Sequence, residues 1–440
     1  MRRISLVVVV CFSAWTSADD NAGHFLAGTR SGITSKTLPL EWDAGKNVAW
    51  KAAVPGAGWS SPVVWGDRVF VTSAVSDEKQ AAPREGLYIT DLNGKTPPGT
   101  HRWQLHCLDA KTGKILWTRT PFEGAMTTTV HIKNSLASET PVTDGKRVYA
   151  YFGNVGVACF DLEGKAVWSQ KTPRHKTKMG WGTGSSPALH AGKLFIVHDN
   201  EEKSFLAALD ALTGKQLWRV EREEPSNWGT PFVWKNSERT ELVTAGTKKT
   251  RSYSLDGKPL WELTGMSIIS IPTPFAVGDR LVVSSGYVMD PYMKPVYAIK
   301  PGGKGDISLA DGKTRNDFIT WSQRQAGAYH PTPVVVGGRL VVLNDRGFIA
   351  GYDVVTGKET LPRKRISPNA HAFTASPWAY NDHLFCLAED GTTYVMDAKK
   401  DFEVVHRNKL GDMSLATPTV AGGSLYLRTR TTLYCLRVKG

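Results

Sequence analysis

Short apolar runs separated by tight-turn residues recur along almost the whole chain. The runs are rich in Val, Ile, Leu, Phe and Tyr, and Gly, Asp or Asn stands between them, as where Val63–Trp65 is followed by Gly66 and Asp67. β-branched and aromatic residues bounded by such turns indicate β-strands. The pattern predicts an all-β protein made of many short strands.

A Ser-Pro or Thr-Pro dipeptide marks the start of each repeating unit. Most successive prolines are 41 to 46 residues apart, and two steps are longer, at 79 and 59 residues. A period in the low forties, with two insertions, is typical of the blades of a β-propeller. The eight copies are Ser61-Pro62, Thr140-Pro141, Ser186-Pro187, Thr230-Pro231, Thr273-Pro274, Thr332-Pro333, Ser376-Pro377 and Thr417-Pro418.

The third strand of most units ends in an aspartate and a glycine turn. Asp opens such a turn through its own backbone, and Gly takes the positive-φ position. A bulky apolar residue follows, and we expect it to pack between neighbouring blades. These residues are Trp117, Trp168, Trp218 and Trp261, with Leu361 in a degenerate copy and Trp321 after an insertion.

The last unit lacks a fourth strand. After Thr417-Pro418 only two strand-like runs follow, whereas residues 45–51 near the other end carry an unassigned Gly-Lys…Trp pattern. We infer that this N-terminal strand completes the last blade, which closes the ring and leaves no exposed inner edge. The fold predicted for residues 38–440 is therefore an eight-bladed β-propeller with tryptophan-docked blades, preceded by an extension over residues 19–37.

Residues 1–18 have the pattern of a secretory signal. Arg2 and Arg3 precede an apolar run, and Thr16, Ser17 and Ala18 offer a small-residue cleavage site. The apolar run is too short to span a membrane, so no transmembrane segment is expected. A lipid-anchor cysteine normally follows a small residue. Cys11 follows the larger Val10, so lipidation is not predicted. We expect a periplasmic or secreted protein.

The net charge and the positions of the cysteines limit which partners, metal sites and disulfides can be expected. The net charge of +13 is compatible with acidic partners, but the lysines are spread through the repeat turns. Without a basic-aromatic cluster, no nucleic-acid partner is predicted. No Cys-x-x-Cys or zinc spacing is present, so no metal site is predicted. Cys107, Cys159, Cys386 and Cys435 are expected to be buried free thiols, because equivalent positions of different blades are too far apart for a disulfide.

The loops of one face of the propeller contain most of the aromatic and polar residues that could contact a ligand. The segments before strand one and after strand two share this face with the longest insertion, residues 76–103, and long loops in compact domains tend to be functional. We expect them to ring the mouth of a central funnel and to form a concave binding site. A second insertion, residues 301–316, is expected on the opposite face. The candidate ligand or partner contacts are Trp59, Glu139, Trp181, Trp228, Tyr329, His330 and Phe373.

The repeat, with Asp-x-x-Thr-Gly-Lys followed by x-x-Trp, resembles the pyrroloquinoline-quinone (PQQ) repeat family. The resemblance covers about residues 38–437 and implies an eight-bladed, tryptophan-docked propeller. Two branches of the family are relevant: the quinoprotein alcohol and sugar dehydrogenases, and a non-catalytic branch with the outer-membrane β-barrel assembly lipoprotein and secreted proteins. The lead-in from Leu40 to Trp50 and the Gly58-to-Pro62 segment look most like the secreted proteins.

The dehydrogenase branch implies further features that can be sought in the sequence. They are an adjacent cysteine pair in many members, a calcium set of Glu, Asn and Asp, and an aspartate general base. No two cysteines are adjacent here, and Glu139 and Asn154 only loosely match the calcium set. Asp345, next to Arg346, is the one pair that could mimic the base and its neighbouring cation, and with His330 these are the candidate catalytic residues.

The sequence therefore predicts a non-catalytic scaffold that binds a protein partner or a small ligand on the funnel face, as a monomer or within a complex. No resident cofactor is predicted. The alternatives are a quinoprotein alcohol or sugar dehydrogenase, with PQQ and calcium, and an enzyme acting on acidic sugars. Carboxylates clustered around a quinone-sized cavity would favour the dehydrogenase, and His330 beside Glu139 and Arg346 in an open groove would favour the sugar enzyme.

Overall fold

The computed structural model describes residues 20–29, 37–88 and 92–438 and has the predicted architecture. Eight antiparallel sheets of four strands are arranged as the blades of a propeller, and a short fifth strand extends one of them. The all-β prediction and the number of blades are confirmed. The predicted signal, residues 1–18, lies outside the described residues.

Blades 1 to 4 follow one another along the chain. Their strands are β2 (Val63–Trp65), β3 (Arg68–Ser76), β4 (Thr100–Asp109) and β5 (Ile115–Ala125); β6 (Val142–Thr143), β7 (Arg147–Tyr151), β8 (Gly156–Asp161) and β9 (Ala166–Lys171); β10 (Ala188–His190), β11 (Lys193–His198), β12 (Ser204–Asp210) and β13 (Gln216–Arg222); β14 (Phe232–Lys235), β15 (Thr240–Ala245), β16 (Lys249–Tyr253) and β17 (Pro259–Thr264).

Blades 5 to 8 complete the ring, and blade 8 takes its outer strand from the N-terminal region. Their strands are β18 (Phe275–Val277), β19 (Arg280–Ser284), β20 (Val296–Ile299) and β22 (Ile319–Gln323); β23 (Val334–Val336), β24 (Arg339–Leu343), β25 (Phe348–Asp353) and β26 (Glu359–Arg365); β27 (Trp378–Tyr380), β28 (His383–Leu387), β29 (Thr392–Asp397) and β30 (Glu403–Lys409); β31 (Thr419–Ala421), β32 (Ser424–Arg428), β33 (Thr432–Leu436) and β1 (Val48–Ala53). Short 3₁₀ turns occupy Lys178–Gly180 and Ala398–Lys400.

The ring closes as the sequence predicts. Strand β1 pairs antiparallel with β33, with Trp50 opposite Cys435 and Ala53 opposite Thr432. The register shifts between Val48 and Trp50, as it does just before the docking tryptophans of blades 1, 2 and 3. Because β1 lies next to β33, the edge of β33 is covered and is not open for pairing with another chain.

The tryptophans of the fourth strands join neighbouring blades, as predicted. Trp117 donates its indole N–H to the carbonyl of Leu162 at 3.0 Å, and its ring lies against Gly164, where a Cβ would meet it at 2.7 Å. Gly164 has a φ of +84°, so glycine serves both the turn and the close approach. The same contact joins Trp50 to Ala110, Trp168 to Ala211, Trp218 to Leu255 and Trp321 to Val354.

The remaining tryptophan departs from this pattern because of the second insertion. Trp261 donates instead to the buried carboxylate of Glu241 at 2.7 Å and packs against Gly303. The insertion, between β20 and β22, contributes β21 (Gly305–Asp306), which pairs in parallel with β17 and adds a fifth strand to blade 4. It therefore packs against the neighbouring blade.

The Ser/Thr-Pro dipeptides form a ring of hydrogen bonds around the centre of the propeller. The N–H of Thr140 donates to Ser186 Oγ at 2.9 Å, and the N–H of Ser186 donates to Thr230 Oγ1 at 3.1 Å. This link explains the repeated hydroxyl residue in blades 2 to 8, since each of these blades offers an acceptor to the previous one. In blade 1 the Oγ of Ser61 has no hydrogen-bond partner within the described chain. In the described chain the same link also joins Ser61 to Thr140, Thr230 to Thr273, Thr273 to Thr332, Thr332 to Ser376 and Ser376 to Thr417.

The hydrophobic core lies between adjacent blades. Tyr149 and Cys159 of blade 2, for example, share a buried cluster with Leu194 of blade 3. The four cysteines of the described residues are buried and free, as predicted. Burial raises the pKa of the Cys107 and Cys159 thiols to about 12, so these thiols are unreactive.

Part of the N-terminal extension packs inside the ring, which the sequence did not suggest. Ala22 pairs with Val64 of β2 through two hydrogen bonds of 2.8 and 3.0 Å. Gly28 lies so close to Val420 of β31 that a Cβ would meet its carbonyl oxygen at 2.4 Å. Residues 20–29 therefore contact the innermost strands of blades 1 and 8 and partly fill the centre of the propeller.

Candidate functional site

The funnel face encloses a cavity of about 440 Å³. The lead-in segments of several blades, the blade 1 insertion and Phe25 of the N-terminal extension contribute to its wall. Such a volume suits a small organic ligand. The aromatic side chains of the wall are Phe25, Trp59, Tyr88, Trp181, Trp228, Tyr287 and Tyr329.

The tryptophans of the wall are held by hydrogen bonds to neighbouring lead-ins. Trp59 donates its indole N–H to Lys133 O at 2.8 Å, and Trp228 donates to Gly182 O at 2.8 Å. The rings of Trp181 and Trp228 lie 5.6 Å apart at an angle of 39°. Because their polar atoms are satisfied by the protein, these rings offer the cavity an apolar surface.

The charged groups of the wall are cationic. Lys133 and Arg346 line the cavity together with His131 and His330, whereas no Asp or Glu of the described residues does so. Lys133 is paired with Glu389, so the unbalanced positive charge of the wall comes from Arg346, which is exposed and has no acidic partner within the described chain. A cavity lined by one sign of charge attracts ligands of the opposite sign. The wall therefore suits an anion that carries an apolar body.

The blade 1 insertion crosses the mouth as a strap, defined here as residues 77–88 and 92–99. At one end the N–H of Gly86 donates to Glu389 Oε2 at 2.8 Å, and Lys133 Nζ bonds both Glu389 and the Gly86 carbonyl. At the other end Trp181 donates to Leu92 O at 2.5 Å. The insertion thus lies on the funnel face, as expected from the sequence, and connects blade 7 to blade 3.

His330 and Asp345 form a hydrogen-bonded pair at the cavity wall. Asp345 is nearly fully buried; one carboxylate oxygen binds His330 Nδ1 and the other accepts the N–H of Tyr329 at 3.2 Å. Because a carboxylate can only accept, Nδ1 carries a proton and Nε2 remains for a molecule in the cavity. The ring of Tyr329 lies 3.9 Å from that of His330 and excludes water from one side of the imidazole.

Glu139 lies behind the wall rather than in it. Its side chain is buried, its Oε1 has no hydrogen-bond partner in the described chain, and burial raises the pKa of the carboxyl to about 7. Asn154, the other candidate for a calcium set, uses its amide on His175, donating to the carbonyl at 2.8 Å and accepting the N–H at 3.1 Å. The structure does not bring these two residues together as ligands.

The residues predicted from sequence fall into three groups. Trp59, Trp181, Trp228, Tyr329, His330 and Arg346 line the cavity. Asp345 lies behind His330, and Glu139 lies under the wall. Phe373 lies in the core between blades 6 and 7, 1% exposed, where its ring meets Tyr394.

Sequence reasoning missed several wall residues. Tyr88 comes from the strap, and its ring meets His131 at 4.9 Å. Lys133 comes from the same lead-in as the predicted residue Glu139, and Phe25 comes from the N-terminal extension. The strap and the extension lie outside the repeat, so no repeat position could indicate where their side chains point.

The described residues show neither a cluster of metal ligands nor a membrane-spanning helix. No group of three or more His, Cys, Asp or Glu side chains in residues 20–29, 37–88 and 92–438 is arranged to hold a metal ion. Among the same residues, no helix is long and apolar enough to cross a membrane.

Comparison with protein families gives a match over most of the chain. The family model described as outer membrane protein assembly factor BamB matches residues 98–206 and 202–440. Across 90% of its length the chain is 22% identical to a tetrathionate hydrolase of Acidithiobacillus ferrooxidans, of which the match covers 85%.

Further similarities include alcohol dehydrogenases that are named as quinone or quinohemoprotein enzymes. The chain is 27% identical, over 29% of its length, to the dehydrogenase subunit of the quinone alcohol dehydrogenase of Gluconobacter oxydans, but this match spans only 18% of that protein. Among solved structures, the quinohemoprotein alcohol dehydrogenase of Comamonas testosteroni superposes with a TM-score of 0.59 at 13% identity, covering 97% of this chain and 82% of that one. This last likeness concerns the fold.

Proposed function

The chain belongs to the PQQ-type repeat family whose model is described as outer membrane protein assembly factor BamB, and on this premise we propose that it is a binding propeller for a small anionic molecule with a planar aromatic body. One observation carries the proposal. The funnel cavity of about 440 Å³ combines aromatic rings with Lys133, Arg346 and His330, and no carboxylate of the described residues lines it.

Aromatic surfaces such as those of Trp181 and Trp228, whose rings are tilted by 39° to each other, gain most from a flat apolar ligand laid against them, because the faces in contact leave water. The exposed guanidinium of Arg346 recognises an acid group bidentately, and a cavity free of acidic side chains does not oppose this charge.

The strap favours a small ligand over a protein partner. Its contacts with Glu389 and Trp181 already cover the mouth where a partner strand or loop would lie. A protein partner on the funnel face therefore requires the strap to move first. The predicted location outside the cytoplasm rests on residues 1–18 and stays part of the proposal.

Replacing Arg346 by glutamine is expected to weaken the binding of an aromatic dianion about tenfold, because one charge-assisted contact is lost. Naphthalene-2,6-dicarboxylate is a suitable probe, titrated calorimetrically against the mature protein. Arg315→Gln is the matched control, since Arg315 is exposed but absent from the cavity wall. Binding of the neutral naphthalene-2,6-dimethanol as tight as that of the dicarboxylate would contradict the proposal.

PQQ is itself a planar aromatic anion, so the same titration, with and without calcium, tests the quinone alternative. The cavity suits such a body, but the residues present do not fit a calcium-bound quinone. Glu389 is paired with Lys133, Asp345 with His330, and Glu139 lies outside the wall. The carboxylate cluster expected for a dehydrogenase is absent from the described cavity wall, and Glu139 does not stand beside His330 as the acidic-sugar alternative requires.

A second candidate function, hydrolysis of a small anion, is favoured by the His330–Asp345 pair. Asp345 orients the imidazole so that Nε2 can take a proton from a water molecule as it attacks a bound substrate. The relative matched over most of its length is named as a tetrathionate hydrolase. In this function the cationic wall would hold the anionic substrate.

If the protein consumes tetrathionate, His330→Gln is expected to lower the turnover number about a hundredfold, since it removes the general base. Turnover is followed as loss of tetrathionate, and the KM should change much less than the turnover number, because the cationic side chain of Arg346 remains. His383→Gln is the control, because His383 stands at the start of β28, is partly exposed and lies outside the wall. If the wild-type protein does not consume tetrathionate, the hydrolase function is wrong for this substrate, and the protein can at most bind it.

A further inference from the structure

The Ser/Thr-Pro hydroxyls join neighbouring blades, and most of them also line the cavity. The N–H of the preceding blade donates to these hydroxyl oxygens in every blade but the first, as from Ser186 to Thr230 and from Thr332 to Ser376. All of these residues are nine-tenths buried or more. The ring members that line the cavity are Ser186, Thr230, Thr273, Thr332, Ser376 and Thr417.

Five of these hydroxyls have a proton to donate. Within the described chain they accept an N–H, and no protein acceptor faces their own O–H. A hydroxyl that accepts a hydrogen bond is a stronger donor, because hydrogen bonds in a chain polarise one another. The five are Ser186, Thr230, Thr273, Ser376 and Thr417.

Buried donors that converge without an acceptor need a partner. The oxygen atoms already accept N–H groups, and the wall carries Lys133 and Arg346 but no described carboxylate, so the partner is an anion rather than a cation. We propose that the hydroxyl ring is the subsite for the acid group of the cavity's ligand, a carboxylate or a sulfate-like oxyanion. This inference rests on the proposed function and gives the ligand an orientation.

The orientation follows from the shape of the wall. The acid group lies on the ring near the centre of the propeller, and the aromatic body extends along the cavity side of Trp181 and Trp228 towards the strap. Ser61 and Thr140 belong to the same ring of dipeptides but do not line the cavity. Thr140 offers a comparison within the chain, since its Oγ1 accepts the N–H of Ser61 as the other ring hydroxyls accept theirs, but it does not line the cavity.

The test compares Thr230→Val with Thr140→Val. Each variant removes one acceptor of a neighbouring N–H, from Ser186 at 3.1 Å and from Ser61 at 2.9 Å, so both should lower the melting temperature similarly. Only Thr230 lines the cavity. We expect the Kd for naphthalene-2,6-dicarboxylate to rise about tenfold in Thr230→Val, to stay unchanged in Thr140→Val, and to return to the wild-type value in Thr230→Ser. If Thr230→Val does not fold, Ser376→Ala replaces it.

The outcomes separate this inference from the function on which it rests. Equal weakening by Thr230→Val and Thr140→Val would show that the ring is structural only, and so would a preference for potassium or calcium over anions. If the wild type binds no aromatic dicarboxylate, the proposed function fails, and titration with inorganic sulfate then tests the ring alone. Sulfate binding that is lost in Thr230→Val supports the subsite, whereas no sulfate binding overturns it.

Discussion

Replacing Trp50 by alanine is expected to lower the free energy of unfolding by about 3–5 kcal/mol, the usual cost of deleting a large buried aromatic side chain. Trp50 is 7% exposed, donates to Ala110 O at 3.0 Å and packs against Gly113 and Tyr426. It therefore joins blade 8 to blade 1, where the ring is closed by a strand from the other end of the chain. Thermal melting measures the loss.

The position of Trp50 predicts a second effect that sets it apart from the other docking tryptophans. When its anchor is lost, β1 separates from β33 more readily, and the exposed edge of β33 can pair with another molecule. Limited proteolysis should cut within residues 48–53, and light scattering should detect association. Trp117→Ala is the control, because it weakens the junction between blades 1 and 2 within a continuous stretch of chain. Equal proteolysis of both variants would contradict a special role for closure.

Glu139→Gln is expected to stabilise the protein by about 3 kcal/mol at pH 8.5 and to have little effect at pH 4. Burial raises the pKa of the Glu139 carboxyl from 4.5 to about 7. Below pH 4.5 the group is protonated in both the folded and the unfolded chain. As the pH rises to 7 the unfolded chain releases this proton while the folded chain retains it, so the wild type loses stability across this interval.

Glutamine keeps the shape of the neutral carboxyl but cannot ionise, so its advantage should appear across the same interval. Urea denaturation of both proteins at pH 4, 5.5, 7 and 8.5 measures the difference. Glu123→Gln is the control, because Glu123 is exposed on β5. A variant destabilised equally at every pH would indicate that Glu139 is held as an anion by a contact that glutamine cannot make.

Together these variants distinguish residues that stabilise the fold from residues that bind the ligand. Trp50 acts on the closure of the ring, Glu139 acts beneath the wall, and Arg346 and Thr230 act within the cavity. Melting of each variant in the presence of the dicarboxylate would show which changes reach the ligand, because a bound ligand stabilises only the folded state.

The blades and their docking contacts were predicted correctly because short sequence motifs recur at a nearly constant spacing. The Ser/Thr-Pro repeat, the Asp-to-Gly turns and the tryptophans each describe contacts within a blade or with the next blade, so a repeat of about forty residues specifies them. The missing fourth strand of the last unit and the unassigned segment around Trp50 predicted closure for the same reason. Trp59, Trp181 and Trp228 were identified because the repeat places every lead-in on one face.

The tertiary structure alone decided which of these side chains meet. Glu139 and Phe373 occupy lead-ins like their neighbours, yet one lies beneath the wall and the other between blades, since the direction of an irregular segment depends on how it packs. His330 meets Asp345, Glu389 meets the strap, and Phe25 reaches the cavity through long-range contacts that follow no period. The sequence by itself determined the ring of blades, because its contacts repeat; the cavity and its charge came from loops whose contacts occur only once.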